Sequence, residues 1–219
     1  MDSASARALA GKPGVYLVLT RPVVPHVTLA HAAVRLGVGA IQLREKTLAP
    51  LQLAGLARAL RAVTEGTPTL LIINDAIDVA IASGADGVHL GQGDDDPSRA
   101  RAASPDLIVG VSVSTAGEAR RAAAGGADYL GIGPVFATET KPDAAAAIGL
   151  AGLAEVAAVV PGTPTVAIGG IDAENAPSVI RAGADHVAVI SCVCHAPDPQ
   201  AALARLVTSV GRSAGPGYA

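Results

Sequence analysis

Aromatic side chains are scarce in this chain of 219 residues: they make up 2% of it, and Trp is absent. Three Tyr and one Phe are too few to form a surface on which nucleic-acid bases could stack. A formal net charge of −3 also leaves no broad basic patch for a phosphate backbone. We therefore expect no nucleic acid among the partners of this protein.

Cysteine and long apolar stretches are also lacking. Cys192 and Cys194 are too few for a disulfide framework and, in a strand-like segment, too close together to pair. No stretch approaches the roughly 20 apolar residues that span a bilayer, and the N-terminus lacks the apolar core of a signal peptide. These absences predict a cytoplasmic protein with reduced thiols and no membrane association.

What the chain does contain is a regular alternation of short apolar runs with Ala-rich segments of helical periodicity. The apolar runs are hydrophobic along their whole length, which is typical of parallel strands covered on both faces. The predicted strands are 15–20, 40–44, 69–74, 87–90, 108–112, 128–131, 165–168 and 186–191. The predicted helices are 27–36, 51–63, 77–83, 97–103, 116–124, 151–159, 173–182 and 199–210.

Eight strand–helix units predict an α/β protein with a single-domain (β/α)8 TIM barrel over residues 13–210. We expect a disordered tail at 1–12 and a flexible tail at 211–219. A doubly wound open sheet is the alternative, although the chain lacks the G-x-G-x-x-G turn of its dinucleotide-binding form. The sequence Gly-Ala-Asp occurs three times between a predicted helix and a predicted strand, which indicates structural roles for Asp86, Asp128 and Asp185.

A barrel of this kind carries its active site at the C-terminal ends of its strands. Gln42 and Arg44 lie in the C-terminal part of the second strand and Lys46 follows it, and two cations with an amide suit an anionic ligand that accepts and donates hydrogen bonds. Asp75 and Asp94 follow the adjacent third and fourth strands, close enough to share a Mg²⁺ ion, which takes one or two protein carboxylates.

Phosphate-binding signals follow the later strands. The long loop after the sixth strand brings Thr138, Thr140 and Lys141 toward the same rim. The seventh strand ends in Gly169 and Gly170, where barrels commonly hold a phosphate through backbone N–H groups. We therefore expect two anion compartments in the site, which would fit two phosphorylated reactants or one bisphosphate.

These motifs resemble those of thiamine phosphate synthases, in matching order and spacing over about residues 15–205. The segments that carry the resemblance are 16–20, 42–46, 73–75, 89–92 with Asp94, 110–112, 131–134, 138–141 and 169–171. The resemblance implies a (β/α)8 barrel that joins hydroxymethylpyrimidine pyrophosphate to hydroxyethylthiazole phosphate, or its carboxylated form. It implies that thiamine phosphate and pyrophosphate are the products, that Mg²⁺ is required, and that the protein forms a homodimer.

Carried over position by position, the resemblance also implies roles for single residues. Gln42 would face the pyrimidine, and Asp75 and Asp94 would hold Mg²⁺. The residues implied for the pyrophosphate are Arg44, Lys46, Asn74, Ser112 and Lys141, of which all but Asn74 would act in catalysis. The residues implied around the thiazole phosphate are Thr138, Thr140, Gly170, Ile190 and Ser191. The chain departs from the family pattern at Gly93, Ser114 and the Ala-rich stretch 144–147.

Besides that of another phosphate-binding barrel isomerase, two other functions remain open. The sister family of thiazole tautomerases shares the barrel but needs a proton shuttle, for which His89, Cys192 and His195 are available. Each of these also suits a structural position or a solvated loop. A non-catalytic barrel that binds thiamine precursors is the other alternative, and it would be expected to have lost some of the cations and carboxylates that this chain keeps.

Overall fold

The computed structural model describes Leu9 and residues 13–138, 140 and 146–213. Eight parallel strands close into a barrel in chain order, with the eighth strand paired to the first. The strands are β1 Gly14–Leu19, β2 Ala40–Leu43, β3 Leu70–Asn74, β4 Gly87–Leu90, β5 Ile108–Val113, β6 Tyr129–Ile132, β7 Thr165–Ile168 and β8 His186–Val189. The predicted barrel is therefore confirmed, and the open-sheet alternative is wrong.

Helices separate the strands and cover the outside of the barrel. Those in the described residues are α1 His26–Arg35, α2 Pro50–Thr64, α3 Ile77–Ser83, α4 Pro97–Ala103, α5 Ala116–Ala124, α6 Gly149–Ala158, α7 Ala176–Arg181, α8 Ser191–Cys194 and α9 Pro199–Ser213. None of these described helices has the length and apolar character that a membrane span requires.

Side chains alternate strictly between the inside and the outside of the barrel. Tyr16 and Val18 of β1 point into a small inner cluster, whereas Leu17 and Leu19 join the larger layer between strands and helices. Small alanines on the helices, such as Ala30, fill much of that outer layer. The abundance of Ala in the sequence thus has a packing role, because small side chains let the helices lie close to the strands.

Two boundary predictions at the C-terminal half are wrong. The eighth strand ends at Val189, and Ser191 and Cys192 belong to the short helix α8. The β-branched residues there favour a strand, but the backbone turns at Ile190, whose carbonyl accepts the N–H of Cys194 at 2.7 Å. The tail predicted from residue 211 is also helical up to Ser213.

The tail predicted at 1–12 is wrong for Leu9, the one described residue within it. The Leu9 side chain is buried in the inner cluster, and its carbonyl lies 3.1 Å from His186 Nε2. The His186 ring lies against Gly14 and Gly39, and a Cβ on Gly14 would come within 2.7 Å of it. These contacts place Leu9 at the end of the barrel where the strands begin.

The three Gly-Ala-Asp repeats have the structural role predicted for them. The carboxylates of Asp86, Asp128 and Asp185 each accept a backbone N–H from the first or second residue of the preceding strand, at 2.7, 2.7 and 2.8 Å. Arg61 lies 3.0 Å from Asp86, and Arg101 forms a close ion pair with Asp128. These aspartates therefore join neighbouring strands at the end of the barrel opposite the site.

Candidate active site

A cavity of about 690 Å³ opens at the C-terminal ends of the strands, and all eight strands or their following loops contribute to its wall. The sequence-predicted site residues that line it are Gln42, Arg44, Lys46, Asn74, Asp75, Asp94, Ser112, Thr138, Thr140, Gly170, Ile190 and Ser191. The remaining predicted residue, Lys141, lies outside the described residues. The described residues that were predicted from their position at the strand ends thus line one cavity.

Arg44 and Lys46 lie at the cavity because Glu45, which stands between them in the chain, is anchored by hydrogen bonds on the side away from the cavity. The Glu45 carboxylate accepts the backbone N–H of Arg21 and lies 2.7 Å from His26 Nε2. Its side chain is 6% exposed, so it is a buried anchor between the loops that follow β1 and β2. No pattern in the sequence indicates this contact.

Asp75 and Asp94 form a carboxylate pair beside Lys46. The Asp75 pKa is raised by burial first and then by the hydrogen bond and the negative charge of Asp94. Lys46 Nζ, 3.5 Å from Asp75 Oδ2, lowers that pKa in part. Two mutually repelling carboxylates fit a divalent cation, which would relieve their repulsion.

The described residues contain no cluster of three or more His, Cys, Asp or Glu side chains arranged for a metal. A magnesium ion between Asp75 and Asp94 would accordingly need water or substrate oxygens to complete its coordination, as Mg²⁺ commonly does. Asp95 and Asp96 do not add to this pair. Asp95 lies 2.6 Å from Arg99, and Asp96 accepts the N–H of Ser98 at the start of α4.

A continuous row of hydrogen bonds crosses the floor of the cavity. Its members are joined at 2.8 to 2.9 Å in the order Gln42, Tyr16, Tyr129, His89 and Ser112. Burial raises the pKa of both tyrosines and lowers the pKa of His89 to about 4. These groups are therefore neutral near pH 7.

Glycine on the neighbouring strands makes room for this row. Gly110 lies between His89 and Tyr129 in the sheet register, and a Cβ on Gly110 would overlap the Tyr129 ring. A Cβ on Gly131 would come within 2.9 Å of the His89 ring. No role was predicted for the two tyrosines from the sequence, although the inward alternation of the strands places them in one space with Gln42.

The opposite wall of the cavity is made of backbone and hydroxyl groups. Gly169 and Gly170 have φ values of 107° and 62°, a region that favours glycine. A Cβ on Gly170 would lie 2.6 Å from the Ala137 carbonyl oxygen, so no larger residue fits. Thr138 and Ser191, which carry hydroxyl groups, line the cavity together with these glycines. This half can hold an anion through N–H and O–H donors.

The candidate proton shuttles of a tautomerase are poorly arranged. Burial raises the pKa of the Cys192 thiol to about 11, so it is protonated near neutral pH. His195 is exposed and is absent from the described cavity wall. His89 uses both ring nitrogens in the floor hydrogen bonds.

Comparisons with known proteins agree with this geometry. The family model described as thiamine monophosphate synthase matches residues 15–193. A thiamine-phosphate synthase of Methanoregula boonei is 49% identical over 178 residues, which are 81% of this chain and 82% of that protein. One from Moorella thermoacetica is 47% identical over 192 residues, covering 87% and 91% of the two chains.

Solved structures support the same assignment. The thiamine phosphate pyrophosphorylase of Pyrococcus furiosus superposes with a TM-score of 0.85 at 38% identity, covering 96% of this chain and 99% of that chain. A 3-hexulose-6-phosphate synthase, with a TM-score of 0.63 and 22% identity over 90% of this chain and 99% of its own, shares the fold alone. The chain therefore belongs to the thiamine monophosphate synthase family and is a transferase of thiamine biosynthesis.

Proposed function

We propose that this protein condenses a pyrimidinylmethyl pyrophosphate with a hydroxyethylthiazole phosphate, or its carboxylated form, to give thiamine phosphate and pyrophosphate in a magnesium-dependent reaction. The observation that carries the proposal is the joining of two anion-binding halves in one cavity. A carboxylate pair with Arg44 and Lys46 occupies one half, and the glycine wall at Gly169 and Gly170 occupies the other. The product follows the names of the relatives, and the two substrates are those that the family resemblance of the sequence implies.

The cationic half suits the pyrophosphate group. Arg44 and Lys46 offer fixed positive charge at the cavity, and Asn74 and Ser112 offer hydrogen-bond donors beside them. Lys141, which the sequence assigns to the same group, would add a further cation. Asp75 and Asp94 would hold the magnesium ion, and what the ion supplies when bound is positive charge to the pyrophosphate oxygens.

Departure of the pyrophosphate is the step that this half would accelerate. The bond between the pyrimidine methylene carbon and the pyrophosphate oxygen breaks, and its electron pair leaves with the pyrophosphate. The amino-substituted ring delocalises the positive charge left on the methylene carbon. Arg44 and Lys46 stabilise the leaving group where its charge develops, which is a large source of rate acceleration in enzymes.

The second half would hold the nucleophile in position. The thiazole nitrogen carries a lone pair and no proton, so its attack on the methylene carbon forms the C–N bond without a general base. Gly170, Thr138 and Ser191 would bind the thiazole phosphate and orient that nitrogen. Positioning of two bound reactants supplies the remaining acceleration.

The direct test is an assay with both substrates and Mg²⁺, from which each component is omitted in turn. We expect release of pyrophosphate and formation of thiamine phosphate only in the complete mixture. The thiazole substrate of a tautomerase serves as a control and should remain unchanged. Folded protein that forms no thiamine phosphate in the complete mixture would refute the proposal.

The metal pair is tested by Asp75→Asn, with Asp95→Asn as the matched control because Asp95 pairs with Arg99 instead. Loss of a metal carboxylate should lower turnover on the order of 100-fold or more. Binding of the thiazole phosphate, measured by calorimetry, should be retained. Turnover of Asp75→Asn close to that of Asp95→Asn would remove Asp75 from the metal site.

A further inference from the structure

The floor hydrogen bonds connect the two ends of the cationic half of the cavity. Gln42 Nε2 lies 2.9 Å from Tyr16 Oη, which lies 2.8 Å from Tyr129 Oη. Tyr129 Oη lies 2.9 Å from His89 Nδ1, and His89 Nε2 lies 2.8 Å from Ser112 Oγ. Every link joins two groups that can each act as donor or acceptor, except the first, where the amide nitrogen of Gln42 can only donate.

That first link determines the direction of all the others. Tyr16 Oη accepts from Gln42, and Tyr129 Oη is the one acceptor described for the Tyr16 hydrogen, so that hydrogen is directed to Tyr129 Oη. Tyr129 then directs its own hydrogen to His89 Nδ1, which must be an unprotonated acceptor. The remaining ring hydrogen of a neutral His89 sits on Nε2 and is donated to Ser112 Oγ.

We propose that His89 is a positioning residue that, by donating its Nε2 hydrogen to Ser112 Oγ, leaves the Ser112 hydroxyl hydrogen to be donated to an anion in the cavity. This inference rests on the proposed function in one respect, namely that the anion is the pyrophosphate of the substrate. It assigns to Tyr129 the task of selecting the His89 tautomer, and to Tyr16 that of transmitting the direction from Gln42.

If the floor hydrogen bonds ran in the opposite direction, Ser112 would have the opposite role toward the ligand. If Tyr16 donated to Gln42, Tyr129 would donate to Tyr16 and His89 would carry its hydrogen on Nδ1. Ser112 would then donate to His89 Nε2 and turn oxygen lone pairs toward the ligand, which would repel an anion. The tautomer of His89 therefore reports which direction the protein uses.

A charged His89 is excluded by the same count of hydrogens. An imidazolium would donate to Tyr129 Oη, which already receives the hydrogen of Tyr16. The Tyr129 hydrogen would then lack an acceptor among the partners described for it. One neutral tautomer, with the hydrogen on Nε2, satisfies all four contacts.

Nitrogen-15 NMR of histidine-labelled protein in magnesium-containing buffer at neutral pH measures the tautomer directly. The signals of His89 are identified by their disappearance from the spectrum of the His89→Asn variant. His186 is an internal reference, because its Nε2 lies 3.1 Å from the Leu9 carbonyl and must carry a hydrogen to bond to it. We expect His89 to show the neutral Nε2–H form, and the Nδ1–H form or an imidazolium would overturn the proposal.

Two tyrosine variants test which residues select the tautomer of His89. Tyr129→Phe removes the donor to Nδ1, so the His89 signals should shift toward a mixture of both tautomers. Tyr16→Phe cuts the link through which Gln42 sets the direction, so the His89 signals should shift in this variant as well, although Tyr129 remains. The His186 signals should stay unchanged in both variants. A tautomer that persists in Tyr129→Phe would overturn the assignment to Tyr129, and one that persists in Tyr16→Phe would overturn the transmission of the direction by Tyr16.

Binding of inorganic pyrophosphate with Mg²⁺, measured by calorimetry, tests the consequence for the ligand. Loss of the directed Ser112 hydrogen should weaken binding about fivefold in Tyr129→Phe, from the net value of one hydrogen bond. Unchanged binding with a shifted tautomer would overturn the positioning role. These readouts require no turnover, so a failure of the condensation assay with the expected tautomer and binding would count against the proposed function alone.

Discussion

His186 shows how a single buried side chain connects conformational stability to pH. Its ring lies among Gly14, Gly39 and Leu9 at the end of the barrel where the strands begin. Burial lowers its pKa below the ordinary value of a histidine. His186 therefore binds a proton less readily in the folded protein than in the unfolded chain.

We expect this histidine to make the fold less stable in mild acid. The unfolded state takes up its proton below about pH 6.5, whereas the folded state does so only at lower pH, so the free energy of unfolding falls as the pH drops through that window. His186→Gln should lose less stability than the wild type between pH 7 and pH 5, by on the order of 1 kcal/mol. Urea unfolding at both pH values measures the difference.

His31→Gln is the control for this comparison, because His31 is exposed on α1. It should show the same pH dependence as the wild type. If His186→Gln also followed the wild type, the stability of the barrel between these pH values would not depend on His186.

At the scale of elements, the Gly-Ala-Asp junctions join neighbouring strands. Asp86 binds the start of β3, Asp128 that of β5 and Asp185 that of β7, so each carboxylate before an even-numbered strand holds the odd-numbered strand beside it. The pattern places stabilising contacts at one end of the barrel and leaves the other end to the active site, as in TIM barrels generally.

Removing one junction should lower stability without impairing catalysis at moderate temperature. Asp185→Ala leaves the N–H and the hydroxyl of Thr165 without their carboxylate acceptor, which should cost about 2 kcal/mol. Thermal unfolding should show a fall of roughly 4 to 8 °C in the midpoint. The turnover of folded protein at 25 °C should stay near the wild-type value.

The matched control is Asp106→Ala, since Asp106 is exposed in the loop before β5. Its unfolding midpoint should stay near that of the wild type. A comparable fall in both variants would mean that the Asp185 contacts add nothing beyond the removal of a surface charge.

For the whole molecule, closing the barrel creates an interior that must be filled at both ends. The row of hydrogen bonds from Gln42 to Ser112 fills it below the cavity. Leu9, with 1% of its surface exposed, fills it at the opposite end. A residue that precedes the first strand is therefore part of the core.

Leu9→Ala should destabilise the protein by about 2 to 4 kcal/mol, because the truncated side chain leaves a void that the rigid barrel cannot close. Leu51→Ala is the control, as Leu51 is 80% exposed at the start of α2. Chemical denaturation of the two variants and the wild type measures the losses. Equal stabilities for both variants would show that Leu9 does not contribute to the core.

Much of the candidate site could be predicted because the barrel rule depends on chain order alone. Parallel strands carry their C-terminal ends at one rim, so Gln42, Asp75 and Asp94 could be grouped without knowing any distance. It could be predicted equally well that Asp95 and Asp96 do not belong to this group, because acidic residues favour the start of a helix. The roles implied for the residues that line the cavity stay predictions.

Other features could not be predicted, since they depend on contacts between residues distant in the chain. The anchoring of Glu45 requires the loop after β1 to meet the loop after β2. The short helix α8 contradicts local strand propensity because the chain turns at Ile190 and Cys194 packs against β1. The burial of Leu9 requires the barrel to exist first.

The sequence by itself determined the class of fold and the chemistry available at the rim, because apolar periodicity and the order of polar residues at strand ends are local properties of the chain. Only the tertiary structure decided how that chemistry is arranged. Closure of the sheet fixes the register in which Gly110 separates His89 from Tyr129, and this gap lets the two side chains bond. The direction of the floor hydrogen bonds follows from that register, since hydrogen bonds depend on distances that no local pattern encodes.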